Sequence, residues 1–194
     1  MAYLGSVSLA GRESVMTCYF GNHMEKVFDK LTTDELRDLV EIYARNIYAL
    51  DGFWFQSVET DRGMDEAMHH DREVWKRFTR TEALRIRKFL GLGEKPGLDG
   101  LVKALSIRFS ALANPSVDIL RDGNTLIYKV NECRVQSARK SKGMPYHPCS
   151  SVGIIEHAGF ASVIDERITT EMVSCYPEVS DRSCACCWQF TLKD

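Results

Sequence analysis

The feature that most constrains this sequence is a change of hydrophobic period at Pro115. Before it, apolar residues recur at helical spacing; after it they fall into short runs that alternate or are rich in β-branched residues. A chain of helices followed by strands predicts an α+β fold: a helical N-terminal half packed on a C-terminal antiparallel sheet with one crossing helix.

The helical half is expected over residues 24–114. Thr33 with Asp34 and Glu35 makes a helix start, followed by Leu36, Leu39, Val40, Tyr43 and Ile47 at helical spacing. Asp51-Gly52 marks a kink before Phe53-Trp54-Phe55. Met64, Met68, Asp71, Trp75 and Phe78 define a second helix, and Thr81-Glu82 opens a third that Gly91, Gly93 and Pro96 close. Leu98 to Ala113 reads as a fourth, ended by Asn114-Pro115. Residues 1–23 lack a clean period and read as a loosely attached arm.

Beyond Pro115 the expected order is a hairpin, a crossing helix and two more strands. Val117–Leu120 and Leu126–Val130 flank Arg121-Asp122-Gly123-Asn124 as a hairpin. A helix runs from Cys149 or Ser150 to about Ile164, and strands follow at Ile168–Ser174 and Cys186–Leu192. The halves 24–114 and 115–194 are expected to share one core, into which the helical half packs Leu39, Tyr43, Ile47, Trp54, Met68, Trp75 and Ile86.

Charge and length exclude several classes. With 25 Lys+Arg against 27 Asp+Glu, a dedicated nucleic-acid binder is disfavoured. No run approaches the roughly 18 apolar residues of a spanning helix. With no secretory signal at the N-terminus, the expected compartment is the cytoplasm, where cysteines are thiols or metal ligands. The expected partner is a small-molecule ligand, with no nucleic acid and no membrane; a homodimer is allowed.

Seven cysteines are present, and all but Cys18 fall at or after residue 133. Cys133, Cys149, Cys175 and Cys186 lie at predicted element ends, where separate segments can meet at one sheet edge. They are the candidate metal ligands, with zinc the simplest ion for thiolates. Glu156 or His157 is the candidate catalytic base beside them. Without a metal, one thiolate with a nearby His is a candidate nucleophile. Against all of this stands the ordinary role of cysteine as a small buried hydrophobe, and no C-x-x-C pair is present.

The helices carry a second candidate site. Asp71 lies on an apolar stripe, which is costly unless the carboxylate is paired. Asp71 and Glu59 could reach a ligand walled by Trp54 and Trp75. Alternatively, Asp71 pairs with an arginine such as Arg85. Arg134, in the basic cluster after Cys133, is a candidate for holding a carboxylate or phosphate.

Asp51-Gly52-Phe53-Trp54-Phe55, Val58-Glu59, Asp71, Val74-Trp75, Glu82-Ala83 and Arg85-Ile86 together carry a resemblance. So do Cys133-Arg134-Val135-Gln136, Pro148-Cys149, Ser151-Val152-Gly153, Ile164-Asp165, Cys175, Cys186, Trp188 and Phe190. Over roughly Leu31 to Leu192 the chain resembles an uncharacterised family of small cytosolic proteins from anaerobic bacteria and archaea. That family is distantly similar to L-2-amino-thiazoline-4-carboxylic acid hydrolases. Its C-terminal half is similar to vinyl-reductase-type domains that bind small molecules. The resemblance carries over Cys133, Cys149, Cys175 and Cys186, and implies that Cys184 and Cys187 are extras. Two functional expectations follow: a small-molecule-binding or hydrolase-like protein, or a non-catalytic sensor or carrier with a structural metal site.

Overall fold

A computed structural model describes residues 27–194, so the arm expected over 1–23, and Cys18 within it, lie outside the described residues. The architecture is α+β. Helix α1 spans Thr33–Arg62, α2 Met64–Phe89, α3 Gly97–Ser106 and α4 Phe109–Ala113; strands β1 (Ser116–Asp122) and β2 (Thr125–Glu132) follow. Helix α5 (Arg134–Ser141), α6 (Ser150–Ile164), β3 (Ile168–Cys175) and β4 (Cys186–Leu192) complete the chain. Residues Leu39–Asp194 form one compact unit. No helix among the described residues is long and apolar enough to cross a membrane.

Local chemistry explains most element ends. Glu35 accepts a bond from the Thr32 backbone N–H at 2.7 Å, while the Glu35 N–H donates to Thr32 Oγ1 at 3.2 Å. This reciprocal pair satisfies two otherwise orphaned donors and starts α1. Asp51-Gly52 does not break the helix, because its backbone bonds continue and nothing there needs a left-handed residue. The break comes instead at Gly63, whose φ of 88° is open to glycine alone at low cost. Thr81 likewise opens no new helix; its hydroxyl donates back to the Arg77 carbonyl at 3.1 Å and the turn continues. The expected fourth helix divides at Arg108, which is extended at ψ 146°. The hydrophobic pattern predicts no helix at α5, which is short and polar along most of its length.

The four strands lie in the order β1-β2-β4-β3, all antiparallel. Helix α6 packs on β3 and on α2, so it is covered on two sides. The main core unites both halves: Ala83, Leu98, Leu101 and Leu105 from the helices meet Leu126, Tyr128, Trp188 and Phe190 from the sheet, with Phe160 and Ile164 of α6 between. A second cluster joins Ala44 and Phe55 of α1 to Ala67, Met68 and Trp75 of α2 and to Phe109 and Val152.

One expectation about the core is corrected. Tyr43, Ile47 and Trp54, expected inside with Met68 and Trp75, are exposed. The side of α1 that packs inward carries Ala44, Tyr48 and Phe55 instead.

Candidate functional site

A cavity of about 440 Å³ lies among α1, α2, α5, α6 and the inner ends of β2 and β4. Its size suits a small molecule. Its walls include Asp51, Asp71, Tyr128, Cys133, Arg134, His147, Cys149, Glu156, His157, Cys175, Cys186 and Trp188. Most residues expected from the sequence therefore converge, although the structure gives them different jobs.

The chemical centre is a chain of three side chains. His147 Nδ1 is 3.1 Å from Cys149 Sγ, and His147 Nε2 is 3.1 Å from Asp71 Oδ2. Asp71 and His147 are both buried. Cys149 is the residue that caps the N-terminus of the 15-residue helix α6, where the helix dipole favours negative charge. Gln136 holds the arrangement from α5. Its Nε2 donates to the His147 carbonyl at 2.8 Å and to Cys149 Sγ at 3.2 Å, and its Oε1 accepts the His147 N–H at 3.0 Å. The Phe55 ring lies 4.5 Å from the imidazole, centroid to centroid, and fixes its plane from the α1 side. Acid, imidazole and thiol in line form the arrangement that activates a sulfur nucleophile: the imidazole takes the thiol proton, and the carboxylate orients it and offsets its charge.

The other cysteines are arranged differently. Burial pushes the Cys133 thiol up to about 11. Cys175 retains its proton chiefly through its bond to Cys149, and Cys186 through its bond to Cys175. These three line the cavity as neutral thiols behind Cys149. Among the described residues, no group of three or more His, Cys, Asp or Glu side chains is arranged to hold a metal ion. The geometry therefore gives no support to zinc on Cys133, Cys149, Cys175 and Cys186.

Glu156 and His157, each expected as the candidate base, have other partners. Glu156 Oε1 is 2.9 Å from Arg108 Nη2, and Arg108 also binds Glu82 through Nε and Nη2 at 3.0 and 2.9 Å. Burial raises the Glu156 carboxyl while Arg108 opposes it. His157 is packed between Trp188 (ring centroids 4.5 Å apart) and Tyr128 (5.4 Å); burial, with Arg108 nearby, holds its imidazole well below the usual histidine range. It is a neutral part of the floor, and its Nδ1 is buried without a partner, as are Tyr128 Oη and Trp188 Nε1. Ligand groups could satisfy these atoms.

The expected ligand-binding residues separate. Glu59 is occupied by a two-bond pair with the buried Arg139, at 2.6 and 2.8 Å, which ties α1 to α5. Arg139 also donates to the Pro145 carbonyl at 2.5 Å, steadying the loop that carries His147. Asp71 pairs with a histidine rather than with Arg85. Arg134 lines the cavity, with Nε bonded to the Ala113 carbonyl at 2.7 Å. Trp75 is buried beside the cavity, whereas Trp54 is exposed on an outer groove between α1 and α2. Asp51 lies on both sides of that wall, and burial, with Asp71 adding to it, raises its carboxyl to about 7.

The sequence offers a thiolate with a nearby His without choosing the pair, which the structure makes Cys149 and His147; Gln136 as their clamp is a candidate site residue that the sequence does not single out. The signal for the pair is His147-Pro148-Cys149 directly before a helix. Gln136 lies in a helix the hydrophobic pattern did not reveal.

No curated protein and no solved structure matches the chain. The model of a family of unknown function, DUF6125, matches residues 29–192, and the chain belongs to that family.

Proposed function

We propose that this protein is a small-molecule hydrolase with Cys149 as nucleophile, His147 as general base and then acid, and Asp71 as the residue that orients the imidazole. The observation that carries this reading is the Asp71–His147–Cys149 chain, with both contacts at 3.1 Å, at the head of α6. His147 Nδ1 takes the proton from Cys149 Sγ, and the thiolate attacks an electrophilic carbon of a carbonyl or amidine. The leaving amine departs with the proton that His147 returns. Water, deprotonated by His147, then cleaves the thioester or its imino equivalent and regenerates the thiol. Gln136 Nε2, already beside the sulfur, is the donor placed for the charge that develops on the attacked group.

The test is a thiol reactivity map. The folded protein is treated with limiting iodoacetamide and digested, and carbamidomethylation is quantified by mass spectrometry at Cys133, Cys149, Cys175, Cys184, Cys186 and Cys187. Cys149 should react at least tenfold faster than Cys133, Cys175 or Cys186, and His147→Ala should remove most of that advantage. Uniform reactivity, or a Cys149 indifferent to His147, would overturn the proposal. It would leave a non-catalytic ligand-binding protein as the better description.

A further inference from the structure

The outward side of α1 carries Val40, Tyr43, Ile47, Leu50 and Trp54, spaced by 3, 4, 3 and 4 residues. That is a 3.5-residue repeat, the spacing by which one helix keeps a straight seam against another. Nothing in the described fold covers the seam: the five side chains are 39 to 69% exposed. β-branched Val40 and Ile47 alternate with Tyr43 and Leu50, as knobs do in paired helices, and no charged residue lies on the stripe. Ile47, Leu50 and Trp54 of the seam also form the near wall of a groove of about 710 Å³ between α1 and α2, with Val74 and Phe78 on its far wall. A lone chain rarely leaves so continuous an apolar face in water.

We propose that this face is the docking surface for a second copy of the same chain, in a two-fold dimer with the α1 seam of each copy set against that of the other. Three observations favour a second copy over another protein. Each chain offers both a ridge and an adjoining groove, which is what a self-complementary two-fold contact requires. The seam is uncharged, so two copies meet without repulsion. Covering the stripe with Val74 would bury about 700 Å² on each copy, close to the roughly 800 Å² per partner of a stable specific interface.

The surface adjoins the cavity. Asp51, Phe55, Asp71 and Trp75 line both the outer groove and the inner cavity, so the groove backs directly on the Asp71–His147 pair. A docked copy would close the water-facing side of that wall. The dimer itself does not depend on the hydrolase reading, since it is judged by mass alone.

The experiment is sedimentation equilibrium of the full chain from 0.5 to 50 µM, with Trp54→Glu and Leu50→Glu beside the parent. The parent should sediment as a dimer. Each variant should shift dissociation at least a hundredfold, toward monomer, while keeping the parental far-ultraviolet circular dichroism, because both residues are exposed. If Leu50→Glu fails to fold, Tyr43→Glu takes its place. A parent that is monomeric throughout, or a dimer indifferent to Trp54→Glu, would overturn the proposal.

Discussion

Asp71 and His147 meet at 3.1 Å although one comes from the second turn of a long helix and the other from the loop before α6. The carboxylate is buried at the wall of the cavity that Trp75, Phe55 and Val152 also line, and the imidazole is its partner there. The same imidazole presents its other nitrogen to Cys149, so the bond that makes a buried acid tolerable also sets the ring plane for the thiol.

Asp71→Asn should therefore preserve the fold but lose the orientation. Alkylation of Cys149 by iodoacetamide should slow at least tenfold, and thermal stability should fall by about 1–3 kcal/mol, typical of a charge-assisted bond lost in a buried site. Stopped-flow alkylation and thermal denaturation would measure the two effects; an unchanged rate would separate Asp71 from the sulfur chemistry.

Arg108 is fully buried between Glu82 and Glu156, with its guanidinium carbon 4.2 Å from the Phe160 ring centroid. Arg108→Met strips two largely buried carboxylates of their partner and should cost about 3–5 kcal/mol in urea unfolding. Adding Glu156→Gln to that variant should recover part of the loss. A cost under about 1 kcal/mol would contradict this account of the core.

Asp51 makes stability depend on pH. Its carboxyl is raised to about 7 in the fold from an ordinary value of 3.8. Between those values the native chain keeps a proton that the unfolded chain has lost, so stability falls as pH rises from about 4 to about 7. Asp51→Asn should flatten that slope and stabilise the protein at pH 8 by an amount on the order of 2 kcal/mol, reduced by partial solvent access. Urea midpoints at pH 5 and pH 8 for both proteins would decide it; parallel curves would show that Asp51 does not titrate in this range.

Gly153 is required by close packing. A Cβ there would stand 2.6 Å from Trp188 Cζ2, so the first turns of α6 lie on the indole without room for a methyl group. Gly153→Ala should destabilise by about 1–3 kcal/mol and, by lifting the end of the helix that carries Cys149, reduce its alkylation rate. Calorimetry with the same labelling assay checks both; a neutral substitution would mean that the helix end adjusts freely.

Zinc can be tested directly. Protein purified without added metal should contain well under one zinc per chain, and Cys133→Ser and Cys186→Ser should shift stability by amounts typical of point substitutions, about 1 kcal/mol. Stoichiometric zinc released by either change would restore the cysteines as ligands.

Much of the fold was legible in order and type. The switch from a period near 3.6 to short alternating runs at Pro115 marks where helices end and the hairpin begins, because burying one face of an element imposes its own repeat on the chain. Cys149 at the head of an apolar helix, and an acid at position 71 inside an apolar stripe, were visible for the same reason: each breaks a pattern. What the pattern could not supply was direction. The apolar face of α1 that a reader turns inward, with Tyr43, Ile47 and Trp54, turns outward, because periodicity reports that a face is apolar and not what covers it. Nor could spacing pair Asp71 with His147, separate Cys149 from Cys133, Cys175 and Cys186, or give Glu156 to Arg108. Those assignments depend on which side chains of distant segments come within about 3 Å of one another, and only the packing of α1, α2, α5 and α6 around one cavity decides that.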